Sequence, residues 1–482
     1  MSGRLGAYLH AALRARMERA AKANRLLETI TKNAGKREYA PHLLSLPPEL
    51  LYHILSYLPA TTLASLSSTC RCLREHVADD QVWALLVNSF LHKPLRDPAP
   101  FESFRSLYIT YHPFWFIVQG KIWYSDVKNT GKVIIVRYNA QRGRIEGYRI
   151  VAAQPFRNYD LWSKDTSIFI NSFEPQVSLW LDDPVILLDR VAISTWNSNL
   201  ERPREYRMPM QLETQRVFTS IFFCKAADPD EWENEDKSVW PPLNIDAVER
   251  VDVTYSDFES SVLLDKPLRQ SEISEAGFRI RRWIQFGGNL SAFDTGTMMD
   301  GVSTYGTLDP KLYTPTAEFP YQGIWVGDYS GHGAEFLVIM QSECMPLSFY
   351  SHEKIAENVL RANRGTLPKA FSSTDGIPRG GLIAVKLTGD PNVPRGEVSF
   401  YADEIGPNGT IRIADEPEFH GARVVSSWGH VAGTDFTGVT QSDEFGMSEL
   451  FLLSHDCIAH FWLELGHISY YRRVNLDTLL NQ

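Results

Sequence analysis

The sequence predicts a multidomain protein in which a small all-α unit of three helices precedes a large, mainly antiparallel β-barrel or sandwich with long loops. Three observations carry this expectation. Between residues 43 and 91 apolar side chains recur three and four positions apart and prolines bracket the pattern, as in short amphipathic helices. From Phe114 onward the period drops to two, and β-branched and aromatic runs are separated by Gly, Pro, Asn and Asp. Few convincing helices lie between those runs, so parallel βαβ units are not expected.

With 482 residues and 44% hydrophobic content, the chain has room for two or three domains and a large core. Its formal net charge of −10 argues against general nucleic-acid binding, which needs a basic face. No apolar run reaches the about 18 residues of a membrane span. Cys70, Cys72, Cys224, Cys344 and Cys457 form neither a secreted disulfide framework nor a paired zinc pattern, which fits a reducing cytoplasmic or nuclear compartment.

Residues 1–40 read as a basic helical arm. Met1 to Glu38 carry nine Lys or Arg against three Glu, with a helix expected from about residue 5 to 31. Such a start suits a transit peptide, or a segment lying on an anionic membrane or on the acidic body. A frayed, solvated helix is preferred, because terminal segments are poorly tied down.

Residues 43–91 form the small helical unit. Pro47 and Pro48 suit the first turn of a helix and Pro59 cannot sit inside one, so the first helix runs over about 48–58. Along it Leu50, Ile54 and Leu58 recur every four residues, with Leu51 and Leu55 beside them. A second helix, capped by Thr61 or Thr62, carries Leu63, Leu66, Cys70, Leu73 and Val77. A third, from near Asp79, places Val82, Trp83, Leu86 and Phe90 inward. So small a unit cannot bury a self-sufficient core, and its surplus apolar surface marks a docking face.

The succession LPPELLYHILSYLP, then LASLSSTCRCLREHV, then a closing Trp resembles the F-box. The resemblance implies that Leu46, Pro47, Ile54, Leu55 and Leu58 meet the Skp-type adaptor of a cullin-RING ubiquitin ligase. Pro48, Leu50, Leu63, Leu66 and Trp83 join them in the expected adaptor-binding set. The bland alternative is a helical hairpin belonging to the larger fold.

Residues 92–113 contain Pro94, Pro98, Pro100 and Pro113 around a short helix at 103–111, a stiff connector that would hold a cargo at a fixed angle. In the body, 114–478, strands are expected at 114–118, 132–138, 144–152, 177–181, 216–224, 278–286, 323–329, 334–341, 381–387, 397–401, 447–453 and 458–463. A helical insertion is read at 352–363. Two loops, acidic 226–242 and Gly/Thr/Pro-rich 294–320, are expected to stay mobile. The acidic loop has six acidic residues against Lys237; plain solvation is preferred over contact with a basic partner or with the basic arm.

Four segments, GIWVGDYSGHGAEFLVIMQ, GLIAVKLTGDPNVPRGEVSFYADE, SSWGHVAGTDF and LFLLSHDCIAHFWLELGHISYYRRVNLD, resemble the C-terminal barrel of the F-box proteins known from animals for recognising D-type cyclins. That family has fungal and plant members, and this chain looks like a fungal-type relative. The resemblance implies a substrate-binding domain that captures a short peptide segment of a target protein, at its extreme C-terminus. The region between Phe114 and Tyr321 matches more loosely.

The residues themselves support a binding site. Gly327, Gly331 and Gly333 let the chain turn sharply around Asp328, Tyr329, Ser330 and His332, presenting N–H groups beside an aromatic ring. Asp390 and Asn392 flank Pro391 in a tight turn. The candidate substrate-binding residues are Trp325, Tyr329, His332 and Glu335 on the first hairpin, Lys386, Asp390 and Asn392 on the second turn, and Trp428 and His430 on a third loop. Glycines that only make a hairpin and an Asp that only closes a turn are the equal alternative.

Enzymatic readings are weaker. His455 and Cys457 share one strand face while His460 points to the other, which defeats a common metal centre. GDYSGHG lacks the spacing of a hydrolase elbow, and no nucleophile, base and orienter can be assigned. Arg279 and Arg281 on one strand face are read as outer salt bridges in preference to a phosphate clamp. The chain is thus expected to be a non-catalytic substrate receptor of a Skp, cullin and F-box ubiquitin ligase, with no cofactor or metal, no nucleic acid and no transmembrane segment. Its partners are the Skp-type adaptor, through it a cullin and a RING subunit, and a protein cargo. A scaffold that delivers no cargo and a β-barrel enzyme are the alternatives.

Overall fold

A computed structural model describes residues 43–154, 159–171, 173–190, 193, 205–208, 210, 217–228, 239–253, 267, 269–284, 302–329, 332–343, 376–431 and 444–482. The basic arm, the helix expected at 352–363 and residues 229–238 of the acidic loop lie outside them. Two compact units emerge, residues 1–89 with 103–105, and residues 90–102 with 106–482.

The first unit holds α1 (Pro48–Leu55), α2 (Ala60–Ser67), α3 (Arg71–Ala78) and α4 (Asp80–Phe90), one helix more than expected. The long second helix is broken at 68–70. Ser67, Ser68 and Thr69 turn their hydroxyls back onto the carbonyls of Ala64, Ser65 and Leu66 at 2.7, 2.6 and 2.7 Å, so side chains take the acceptors that a continuing helix would use. Cys70 is then fully extended (φ −153°), and its Sγ accepts the Leu73 N–H at the start of α3. Thr61 and Thr62 lie inside α2, whose N-cap is Pro59. Leu51, Leu55, Leu63, Leu73, Val77, Val82, Trp83 and Val87 form the core, whereas Leu86 and Phe90 are only half-buried. The Trp83 indole donates to the Val77 carbonyl at 2.7 Å, and Tyr52 donates to Asp79 at 2.8 Å.

The second unit opens with α5 (Phe104–Tyr111), whose first residues group with the first unit, and α6 (Trp115–Gly120). A strand was expected at 114–118. The apolar run there is buried on every side, at Trp115, Phe116, Ile117 and Val118, and periodicity cannot tell a fully buried helix from a buried strand. Lys121 ends the helix with φ 55° and ψ −62°, a conformation costly for a residue with a Cβ.

Twenty-two strands follow among the described residues. The first thirteen are β1 (Ile122–Ser125), β2 (Val133–Asn139), β3 (Arg144–Ala153), β4 (Tyr159–Trp162), β5 (Asp165–Asn171), β6 (Gln176–Leu179), β7 (Ile186–Leu188), β8 (Glu205–Met208), β9 (Val217–Phe223), β10 (Val239–Trp240), β11 (Val251–Asp252), β12 (Gly277–Ile284) and β13 (Val302–Thr307). After a short α7 (Pro310–Tyr313) come β14 (Gly323–Asp328), β15 (Ala334–Ser342), β16 (Gly381–Lys386), β17 (Val398–Ala402), β18 (Thr410–Ile413), β19 (Arg423–Val431), β20 (Glu444–Ser454), β21 (Cys457–Trp462) and β22 (His467–Arg473), and α8 (Leu476–Leu480) ends the chain.

The order β14-β15-β16-β17-β19-β20-β21-β22 returns to β14 through Trp325↔Arg473 and Gly327↔Tyr471, so eight antiparallel strands close into a barrel, not a sandwich. The order β6-β3-β2-β1-β13-β12-β9-β8 stays open as a half-barrel. Its strand β13 and α7 occupy the stretch read as a mobile loop at 294–320. Trp325, Leu337, Leu382, Phe400, Leu450 and Tyr471 fill the barrel interior. On the opposite face of the same strands, Ile324, Val326, Val338 and Val385 join Ile122, Tyr124 and Ile135 of the half-barrel in a shared core. A third cluster, with Trp162, Phe419, Phe451 and Phe461, covers the barrel's other side. Strands buried on both faces read as unbroken apolar runs, which is why β14 to β16 were legible. No helix among the described residues is long and apolar enough to cross a membrane.

Candidate functional site

In the first unit the apolar residues of α1 divide between two jobs. Leu51 and Leu55 are each 1% exposed and hold the helix onto its neighbours, while Leu50 and Ile54 are 52% and 40% exposed. Leu43, Leu44 and Tyr57 are also exposed. Pro47 and Pro48 lie open, and Leu46, Leu58 and Leu66 are half-buried. Leu55, Leu63 and Trp83, expected in the adaptor-binding set, are therefore core residues that shape the face from beneath.

In the second unit, alternation along the strands puts Glu335 of β15 and Lys386 of β16 inside one end of the closed barrel. Lys386 Nζ lies 2.7 Å from Glu335 Oε2 and 3.0 Å from Asp390 Oδ2, and sits over the Tyr329 ring at 4.1 Å from its centroid. Asp390 Oδ1 also accepts the backbone N–H groups of Asn392 and Val393 at 2.6 and 3.0 Å. Asp390 thus closes the turn and neutralises the lysine at once. The Tyr329 hydroxyl is 2.6 Å from Ser399 Oγ. Ser399 reaches it because the β16–β17 register shifts between Ala384 and Val385, and such a bulge re-aims a side chain. Gly327 makes room: a Cβ there would stand 2.3 Å from the Tyr471 ring.

Burial raises the Glu335 carboxyl to about 8, against the pull of Lys386. Burial pushes Asp390 upward too, but the Lys386 ammonium and the Val393 N–H outweigh it and hold the carboxyl at about 2. Near neutral pH Glu335 is a protonated acid hydrogen-bonded to ionised Asp390, so the buried triad carries no net charge. Deeper in, His460 Nε2 lies 2.8 Å from Ser448 Oγ, which is 2.8 Å from Ser427 Oγ. Burial lowers the His460 imidazole to about 3, so it stays neutral.

The expected binding residues therefore separate into layers. Trp325 is wholly inside the barrel, with its indole on the Tyr321 carbonyl at 3.0 Å. Tyr329, Glu335, Lys386 and Asp390 form the polar plug. His332 is exposed above it, its Nε2 3.4 Å from Asn392 Nδ2. Trp428 and His430 face outward from β19: Trp428 packs on the core shared with the half-barrel, and His430 lies 3.2 Å from the Val398 carbonyl. Tyr471, Ser399 and His460 belong to the plug but were not expected; the inward alternation of β22 and β21 is the signal that points to Tyr471 and His460, whereas the β17 bulge that turns Ser399 inward left none. Among the described residues no cluster of His, Cys, Asp and Glu fits a metal. Arg279, read as part of an outer salt bridge, is instead buried and donates to the Asp252 carbonyl at 2.6 Å, while Arg282 on the other face of the strand pairs with Asp183 at 3.3 Å.

A family model for an F-box-like domain matches residues 43–89, and one for the cyclin D1 binding domain matches residues 305–478. The chain carries an F-box-like domain and a cyclin D1 binding domain. Among curated proteins no match to the chain was found. The F-box ends where the first compact unit ends and contains all ten expected adaptor-binding residues. The cyclin D1 binding domain begins within β13, encloses the closed barrel and ends in α8. It contains all nine expected substrate-binding residues.

Proposed function

We propose that this F-box protein is the substrate-recognition subunit of a Skp, cullin and F-box ubiquitin ligase, in the cytoplasm or nucleus. The observation that carries the reading is the exposed pair Leu50 and Ile54 on an F-box in the same chain as a cyclin D1 binding domain. Apolar side chains so exposed on so small a unit favour a standing partner, the Skp-type adaptor, through which the cullin and RING subunits follow. Ubiquitin chemistry then belongs to the partners, and the chain lowers the barrier by proximity.

The cargo is a protein, held by its C-terminal segment at the plugged end of the barrel. The rim of exposed His332 and half-buried Asn392 contacts it, and the polar plug beneath, neutral overall, supplies a rigid floor. A D-type cyclin tail is the first peptide to test, because the domain family is named for that binding. Reconstituted ligase with this chain should transfer ubiquitin to a bound cargo, and Leu50→Ala with Ile54→Ala should stop transfer without unfolding the barrel. Adaptor binding without transfer to any captured protein would favour a scaffold.

A further inference from the structure

A cavity of about 590 Å³ lies at the other end of the barrel, where β14 begins and β22 ends, and one of about 420 Å³ adjoins it against β2, α6 and residues 91–96. They share His92, Lys121 and Leu480, so they meet as one groove with Lys121 at the junction. The smaller cavity is lined by Lys93, Arg96, Lys121 and Arg137 and by no aspartate or glutamate side chain. This concentration stands on a chain with 58 acidic and 48 basic residues. In the larger cavity Asp456 pairs with Arg473 at 2.7 Å, and the largely exposed Asp477 lies 3.6 Å from His92.

Elsewhere the barrel's cations are neutralised at close range, as Lys386 and Arg412 are. Lys93, Arg96 and Lys121 have no ion-pair or hydrogen-bond partner for their side chains among the described residues. Lys121 also occupies a helix C-terminal position with φ 55°, where glycine would be unstrained, so the fold keeps a lysine at the junction against a backbone cost. Pro94, Leu95, Pro315, Leu476 and Leu480 line the same two cavities and keep accessible apolar surface.

We propose that this groove binds an acidic peptide segment of a protein partner, its carboxylates on Lys93, Arg96 and Lys121 and its apolar side chains against Leu95, Pro315, Leu476 and Leu480. An elongated, half-apolar groove suits a peptide better than a free anion, and clustered cations without acidic neighbours recognise acidic motifs. The site is separate from the plugged end of the barrel and does not depend on cargo binding there.

The test uses the full chain with its adaptor and a fluorescein-labelled peptide of alternating glutamate and leucine. Fluorescence polarisation should show binding that weakens as salt rises, and a glutamine-for-glutamate peptide should bind about tenfold more weakly. Lys121→Gly deletes the central charge while relieving the backbone, so the protein should stay folded and lose about tenfold in affinity. Lys93→Ala with Arg96→Ala should flatten the salt dependence. Equal binding of the two peptides, or undiminished binding by Lys121→Gly, would overturn the proposal. Tight calorimetric binding of inorganic phosphate alone would overturn it too, by showing a small-anion site.

Discussion

Lys386 and Glu335 meet inside the barrel with Nζ and Oε2 2.7 Å apart, and neither side chain reaches solvent. Only one carboxylate is needed to balance the lysine, and Asp390 supplies it, which leaves Glu335 protonated. A buried ion pair with a neutral third member is a demanding arrangement, because removing one partner strands the other.

Glu335→Gln should flatten the alkaline limb of stability. The folded carboxyl sits at about 8 against an ordinary 4.5, so its protonated form is favoured by the fold. The stabilisation is complete below the ordinary value and is lost as pH rises through about 8, by on the order of a few kcal/mol at most. Glutamine mimics the protonated acid and does not titrate. Thermal melts from acid to alkaline pH should show the variant overtaking wild type above pH of about 8; parallel curves would refute the protonated triad.

His460 governs an opposite, acid limb. Its imidazole is held at about 3 against an ordinary 6.5 by burial, so stability is present above the ordinary value and declines as pH falls toward about 3. The ring packs on Phe400 at 4.7 Å and on Trp462 at 4.3 Å. Its proton resonances should not move between about pH 7 and about pH 5. A normal titration midpoint would place the ring in solvent.

The two halves of α1 should fail differently. Leu50→Ala and Ile54→Ala should each cost about 2 kcal/mol of adaptor affinity and change unfolding by less than about 0.5 kcal/mol. Leu55→Ala should cost about 2 to 5 kcal/mol of fold stability. Pull-down and thermal unfolding of the same three variants separate the effects, and equal loss of stability in all three would remove the distinction.

At the plugged end, His332→Ala and Asn392→Ala should weaken capture of a C-terminal peptide by about 1 to 3 kcal/mol each while leaving the adaptor bound. Asp390→Asn is a poorer probe, because Asp390 also holds the backbone of Asn392 and Val393. Peptides with a free, amidated or extended C-terminus should differ in affinity. Equal affinities for all three across these variants would move the cargo site elsewhere.

Much was legible because local chemistry decided it. Pro48 at the head of α1 and the four-residue spacing of Leu50 and Ile54 specify a helix with an apolar face before any partner exists. The apolar runs of β14, β15 and β16 announced buried strands, and the glycines and Asp390 announced their turns. Other elements were silent. The strands β19 and β22 were not read: Ser426, Ser427 and Gly429 break up Val424, Val425 and Trp428, and Ser469, Arg472 and Arg473 flank Ile468, Tyr470 and Tyr471, so pairing with neighbours already in place defines them.

The sequence by itself determined that residues 43–91 are helical, that the body after residue 121 is built mainly from antiparallel strands among its described residues, and where several of its sharp turns fall. Tertiary structure decided that eight of the strands close into a barrel, since closure depends on Trp325 meeting Arg473, residues far apart in the chain. It also decided which side of α1 is free and which turn residues are plug instead of surface. Spacing fixes the face on which a side chain stands, but exposure and charge state depend on what the rest of the chain brings to that face. Lys386 and Glu335 become a buried pair only when β15 and β16 align and Asp390 folds back over them.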